Sequence, residues 1–287
     1  LTMFDPRYSG GSRIIPGMGN SGNDQDSIWG VSVATFLEQD PTFAGWCKAM
    51  FKAAGSKFPP LVSGVHFVGH PMYYLPDVKE TPVVFRTVFM PAYGVAFRAH
   101  GGTPQETAML LRAGSNWGHW DSDPLNLILY GKGAPLSPGT GYQYYPGVGG
   151  QNNAVYHNQV KVGQRDLQEV FGRVDGTIED YGFGASADYA VADRYYPPEI
   201  FADKKSDMHW RRHVLFLKSD KPEGPSYFVV RDTFPGGEER PKWWTWMNLE
   251  LPDRITVDGK AFETNQVPVE KIVTEAEMPS QKGQVVE

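Results

Sequence analysis

Within seven residues, Trp117 to Asp123 of the run GSNWGHWDSD, the chain places two Trp, one His and two Asp. His119 is the only imidazole there. Flanked by Gly118 and Trp120 at the entrance to an apolar run, it can bind a metal or polarise an anion. Asp121, two residues on, shares its side of an extended segment. It is therefore placed to orient the ring as a second carboxylate does in metal sites, or simply to start the turn at Asp123-Pro124. A second imidazole, His157, follows in AVYHNQVKVG, which reads as a strand with Asn158 on the opposite face. Two His on different strands are compatible with a metal site, and their 37-residue separation is too loose to specify one.

Around these lie residues suited to sugars. SPGTGYQYYPG carries Tyr142, Tyr144 and Tyr145 on a Gly/Pro-rich stretch, where phenols stack on rings or donate to hydroxyls. Trp243, Trp244 and Trp246 in KWWTWMN suit a stacking platform or, more simply, a sandwich core. In HWRRHVLFLK, Arg211 and Arg212 each carry a fork, and one of them can hold a carboxylate through two bonds, unless both simply line a solvated strand face. His209 and His213 carry no assignment, and neither do His66, His70 and His100.

Positioning such groups requires a scaffold, and the composition describes one. The 287 residues are 40% apolar, 21% charged and 13% aromatic, with 32 Gly and 23 Pro. That is enough to bury a substantial core, and many turns with many aromatics indicate short strands. The formal charge of −6 speaks against a nucleic-acid surface. Cys47 is the single cysteine, so no internal disulfide forms; it reads as a small core residue of a helix. No apolar run reaches the ~18 residues of a membrane span, and LTMFDPRYSG has no signal-peptide character.

Two helices are expected near the start, DSIWGVSVATFLEQD capped by Asp26 or Ser27, and PTFAGWCKAMFKAAGSKF opening on Pro41. After residue 60 the period changes. TPVVFRTVFM, GVAFRAH, ETAMLLRA, PLNLILYGKGAPL, NAVYHNQVKVG, HWRRHVLFLK and PSYFVVRDTF read as strands, and ITVDGKAF as an Asp-Gly hairpin. The expected class is mainly β: a helical segment at 1–58 followed by a large antiparallel β-sandwich at 59–287.

The order LLRAG…GHWDSDPLNLILYGKGAPLSPGTGYQYY…AVYHNQVKVG, then RRHVLFLK…SYFVVRDTF, resembles the C-terminal β-sandwich of heparinase II/III-like polysaccharide lyases. The likeness runs over roughly residues 5 to 250 and lies more in order and spacing than in identity. It implies that residues 1–58 are the end of an α/α toroid, and that the chain is part of a longer enzyme or a processed product. It further implies β-elimination on a uronic-acid polysaccharide. The C5 carboxylate is neutralised, a base removes the α-proton, and an acid protonates the departing glycosidic oxygen.

Carried across, His119 matches the second His of the family's turn and His157 its later His, both zinc ligands there, with Asp121 available to complete the set. His119 and Tyr145 become the catalytic candidates, and Asn116, Trp117, Tyr142, Tyr144 and Arg212 the substrate-binding ones. The sequence departs from the pattern twice: Ser137 stands where the family has an Asp ligand, and Trp117 where it has the turn's first His. A non-catalytic carbohydrate-binding module and a uronate C5-epimerase are therefore the alternatives. Expected partners are a uronate polysaccharide and either the remainder of a longer chain or a second copy in a homo-oligomer. The expected location is the periplasm or outside the cell.

Overall fold

The computed structural model describes residues 3–4, 13–14, 36–53, 77–114, 123–137, 157–162, 175–201, 204–246, 256–257 and 260–261. Their chain order is β1 (Met3–Phe4), β2 (Arg13–Ile14), α1 (Pro41–Ala53), β3 (Val88–Met90), β4 (Gly94–Ala99), β5 (Thr107–Arg112), β6 (Leu127–Gly131) and β7 (Ala134–Ser137). There follow β8 (Val160–Val162), β9 (Gly176–Phe183), β10 (Ala187–Tyr196), β11 (Met208–Leu217), β12 (Tyr227–Thr233), β13 (Lys242–Trp244), β14 (Thr256–Val257) and β15 (Lys260–Ala261).

Helix α1 begins where Pro41 allows it. Asp40 caps the first turn, its carboxylate accepting from Phe43 N at 2.9 Å. The described helix runs to Ala53, and residues 54–58 of the expected span lie outside the described residues. It buries Ala44, Cys47, Met50 and Phe51 and is tied to the segment before β3 by Lys48 Nζ donating to Val78 O and Thr81 Oγ1 donating to Thr42 O. Of the first expected helix, only its end from residue 36 lies within the described residues. No described helix is long and apolar enough to cross a membrane.

The strands form an antiparallel β-sandwich. One sheet runs β3-β4-β5-β6-β7 and the other β12-β11-β10-β9, and β13-β8, β1-β2 and β14-β15 form separate two-stranded pairs. Each large sheet sends alternate side chains into one shared core. Val95, Phe97, Met109, Leu111 and Leu127 from the first meet Ala190, Ala192, Trp210, Val214 and Phe216 from the second. Phe216 stacks on Phe228 at 4.1 Å between ring centroids, and Phe97 meets both edge-on. The two sheets differ outside: β4 and β5 are buried on both faces, whereas β11 alternates between buried and open positions.

The expected hairpin in PLNLILYGKGAPL is present as β6–β7. Lys132 and Gly133 turn it, both at positive φ (52° and 77°), as a tight antiparallel reversal requires. Val257 pairs with Lys260 around the expected Asp-Gly position. TPVVFRTVFM contributes only its last three residues as strand, and the described part of NAVYHNQVKVG, residues 157–162, forms strand at Val160–Val162, so His157 precedes that strand. The longest pairing among the described residues, β9–β10–β11, includes two strands that no expected run contains. Their sequence, GTIEDYGFGASADYAVADRYY, hides its alternation behind ions that the fold buries. Asp188, Asp193 and Arg194 are all enclosed, and Asp188 is held by Lys218 Nζ at 2.7 Å and by Thr87 Oγ1.

Candidate functional site

Residues 126, 137, 157–159, 212 and 232 come together as a polar cluster where the two sheets meet. Asn126 opens β6 and is buried, as are Ser137, His157, Asn158 and Gln159. Asn158 is the hub. Its backbone N–H donates to Asn126 Oδ1 at 2.8 Å, and its side-chain amide donates to Leu127 O and to Ser137 Oγ, the latter at 2.6 Å. Gln159 Nε2 donates to Pro124 O at 2.7 Å. The stretch 157–159 is thereby fastened both to the start of β6 and to the end of β7.

Arg212 closes the cluster from β11. It is 0% exposed. Its Nη1 donates to Leu125 O at 2.7 Å and to Asn158 O at 2.6 Å, while Nε and Nη2 grip Asp232 of β12 at 2.8 and 3.0 Å. Trp210 Nε1 shares Asp232 Oδ1 at 2.8 Å, and the guanidinium lies 4.8 Å from the Trp210 ring. The forked grip on a carboxylate expected from this Arg is therefore made to the chain's own Asp232 in the interior, which corrects its expected role in substrate binding. Interior Arg is tolerable only when its donors are met this fully.

The hydrogen bonds also reach His157. Asn126 Oδ1 is committed as an acceptor to Asn158 N–H, so Asn126 Nδ2 is the group 3.4 Å from His157 Nδ1 and donates to it. Ser137 Oγ already accepts from Asn158, and a neutral hydroxyl is a weak zinc ligand. No group of three His, Cys, Asp or Glu suited to a metal exists among the described residues. Of the expected metal ligands only His157 lies among the described residues, and its Nδ1 faces the Asn126 amide. His119 and Asp121 lie outside the described residues, as do Asn116, Trp117, Tyr142, Tyr144 and Tyr145.

The described ends of the segments carrying those residues are nonetheless well placed. The chain leaves at Gly114, held by a two-way backbone pairing with Gly176, and returns at Asp123. Asp123 lies 3.5 Å from Arg112 Nε, and both are buried. Arg112 continues to Tyr93 O at 3.3 Å and lies 4.8 Å from the Tyr93 ring. The next segment leaves at Ser137 and returns at His157, the pair of positions bridged by Asn158. Both segments are therefore anchored on one polar brace.

Tyr93, Arg112, Asp123 and Asn126 belong to this brace and are not legible as such in sequence. Burial pushes the Tyr93 phenol above its usual range, Arg112 opposes that, and Asp123 adds to it. The only sequence signal was the PAYG turn, whose Ala92 and Gly94 both adopt positive φ. Of the three tryptophans expected in the core, Trp246 packs against it. Trp244 is 56% exposed, with the Trp246 ring edge-on to it at 5.9 Å. The pair sits beside the brace, since Thr245 N donates to Gln159 O.

No family model and no curated protein matches the chain. Among solved structures it is similar to a heparan sulfate lyase HepC mutant from Pedobacter heparinus. That match has 15% identity over 70% of this chain and 31% of that one, with a TM-score of 0.42. It is also similar to a heparinase III gene product, at 11% identity over 83% of this chain and 43% of that one, with a TM-score of 0.44. The chain spans less than half the length of these structures, and the likeness is at the level of fold.

Proposed function

We propose that the protein is the sandwich portion of a polysaccharide lyase that cleaves a uronic-acid polymer by β-elimination outside the cytoplasm. The observation that carries this reading is the Asn158-centred brace. It fastens the return of the Tyr142–Tyr145 segment to the strand that follows the His119 turn. A rigid support of this type is what a proton-transfer site needs, because the reacting groups must be held to within a fraction of an ångström. In this reading Asn116 donates to the C5 carboxylate, and Trp117, Tyr142 and Tyr144 stack on the sugar. His119 removes the C5 proton as Tyr145 protonates the leaving oxygen. The C5–H and C4–O bonds break, a C4–C5 double bond forms, and a new reducing end departs. His157, Ser137 and Arg212 act as support and do not touch substrate.

The test is incubation of the full-length protein with a panel of uronate polymers while following the ultraviolet absorbance of the unsaturated product. His119→Ala is expected to lower kcat by about two to four orders of magnitude. Absence of product from every uronate polymer overturns the proposal. Solvent proton exchange at C5 without cleavage would instead identify an epimerase. Glycan binding that survives His119→Ala and fails in Trp244→Ala would identify a binding module, the reading that the exposed Trp244 favours.

A further inference from the structure

The outer face of the β12-β11-β10-β9 sheet carries more apolar surface than an unpartnered face needs. Tyr227, Val229, Leu215 and Leu217 stand on it at 58, 52, 39 and 41% exposure. They form one patch, because Val229, Leu215 and Tyr189 are cross-strand neighbours in one row, and Tyr227, Leu217 and Ala187 in the next. The other large sheet shows nothing comparable in β4 and β5, where every position is buried.

The adjoining row adds charge of a particular arrangement. It reads Arg231, His213, Val191, Asp180 from β12 across to β9. Arg231 is exposed at one edge and makes no hydrogen bond or ion pair among the described residues. Asp180 is exposed at the other edge and is fixed there through one oxygen by the Tyr189 hydroxyl. One row therefore ends in a cation on one side and an anion on the other, with apolar rows beside it.

We propose that this face is a symmetric interface with a second copy of the chain, its two-fold axis lying between the facing sheets and parallel to the strands. That operation carries β12 over the partner's β9 while keeping each row over itself, as an isologous interface demands. Arg231 of each copy then meets Asp180 of the other, and Leu215 meets Tyr189. An axis running across the strands would set cationic edge on cationic edge instead. With strands of 7 to 10 residues, ~3.3 Å per residue and ~4.8 Å between strands, the contact covers about 1,000–1,200 Å² in total. This is the lower end for specific association, so the dimer dissociates on dilution.

Sedimentation equilibrium of the full-length protein tests this, with circular dichroism confirming that each variant is folded. Arg231→Glu and Asp180→Arg, made separately, each set like charges against one another twice per dimer and are expected to weaken self-association about tenfold or more. Mixing the two single variants restores both opposite-charge pairs, so a heterodimer of near wild-type affinity is expected. A protein that stays monomeric at all concentrations overturns the proposal. So do variants that dimerise normally, and a mixture that fails to recover, the outcome if the face is covered by another part of the same chain. None of these outcomes depends on catalytic activity.

Discussion

Arg212 shows at the scale of single residues how the interior of this fold is wired. Its guanidinium is out of water, and its donors go to one carboxylate and two backbone carbonyls contributed by three separate stretches. Removing the side chain strands Asp232 and leaves Leu125 O and Asn158 O without this donor. Arg212→Ala is therefore expected to cost about 3–5 kcal/mol of stability in chemical denaturation. A loss below about 1 kcal/mol would mean that the pair is far more hydrated than its burial indicates. The sequence announced the chemistry of this residue correctly and its partner wrongly. A bidentate fork is a property of Arg itself, but which carboxylate fills it depends on a register between β11 and β12 that local pattern does not encode. His157 presents the same limit. An imidazole in a strand-like run has the same appearance whether its nitrogens are free or, as here, one of them accepts from an amide thirty-one positions away.

Whole elements were legible where one period dominates. The β6–β7 hairpin, strand β11 and the Pro41 start of α1 follow from turn chemistry, β-branched and aromatic content and the place of Pro at a helix start. Strands β9 and β10 escaped because their buried ions break the expected polar-apolar order; those ions are tolerated through pairs such as Lys218–Asp188, which only the assembled sheet supplies. The junction at Gly114 belongs to this scale as well. Its φ is +93°, and an added Cβ would lie 1.8 Å from Ala92 O. The residue must pair with Gly176 while passing directly over the β3–β4 turn. Gly114→Ala is expected to destabilise by about 2 kcal/mol or more, read as a lower urea midpoint at an unchanged slope. A neutral outcome would show that the turn at Ala92 yields freely.

Across the whole molecule, three phenols share one sign. Tyr93 is raised chiefly by burial, Tyr189 chiefly by its bond to Asp180, and Tyr195 by desolvation followed by its bond to Asp207. Each holds its proton more tightly folded than unfolded. Their contribution is thus complete below the unfolded phenol value near 10 and is lost as pH rises through the folded values. Unfolding free energy is expected to fall as pH climbs past about 10, and by less in Tyr93→Phe. A flat alkaline profile in the wild type would contradict the three environments together.

The brace around Asn158 has an evolutionary corollary. Segments 115–122 and 138–156 both depart from and rejoin fixed points, so their end-to-end spans are dictated by the scaffold and not by their own content. Lengthening such an excursion adds only slowly to its closure entropy, about 0.6 kcal/mol per doubling. New surface can therefore be drafted at this rim by insertion or exchange, while the packed sheets beneath need no retuning.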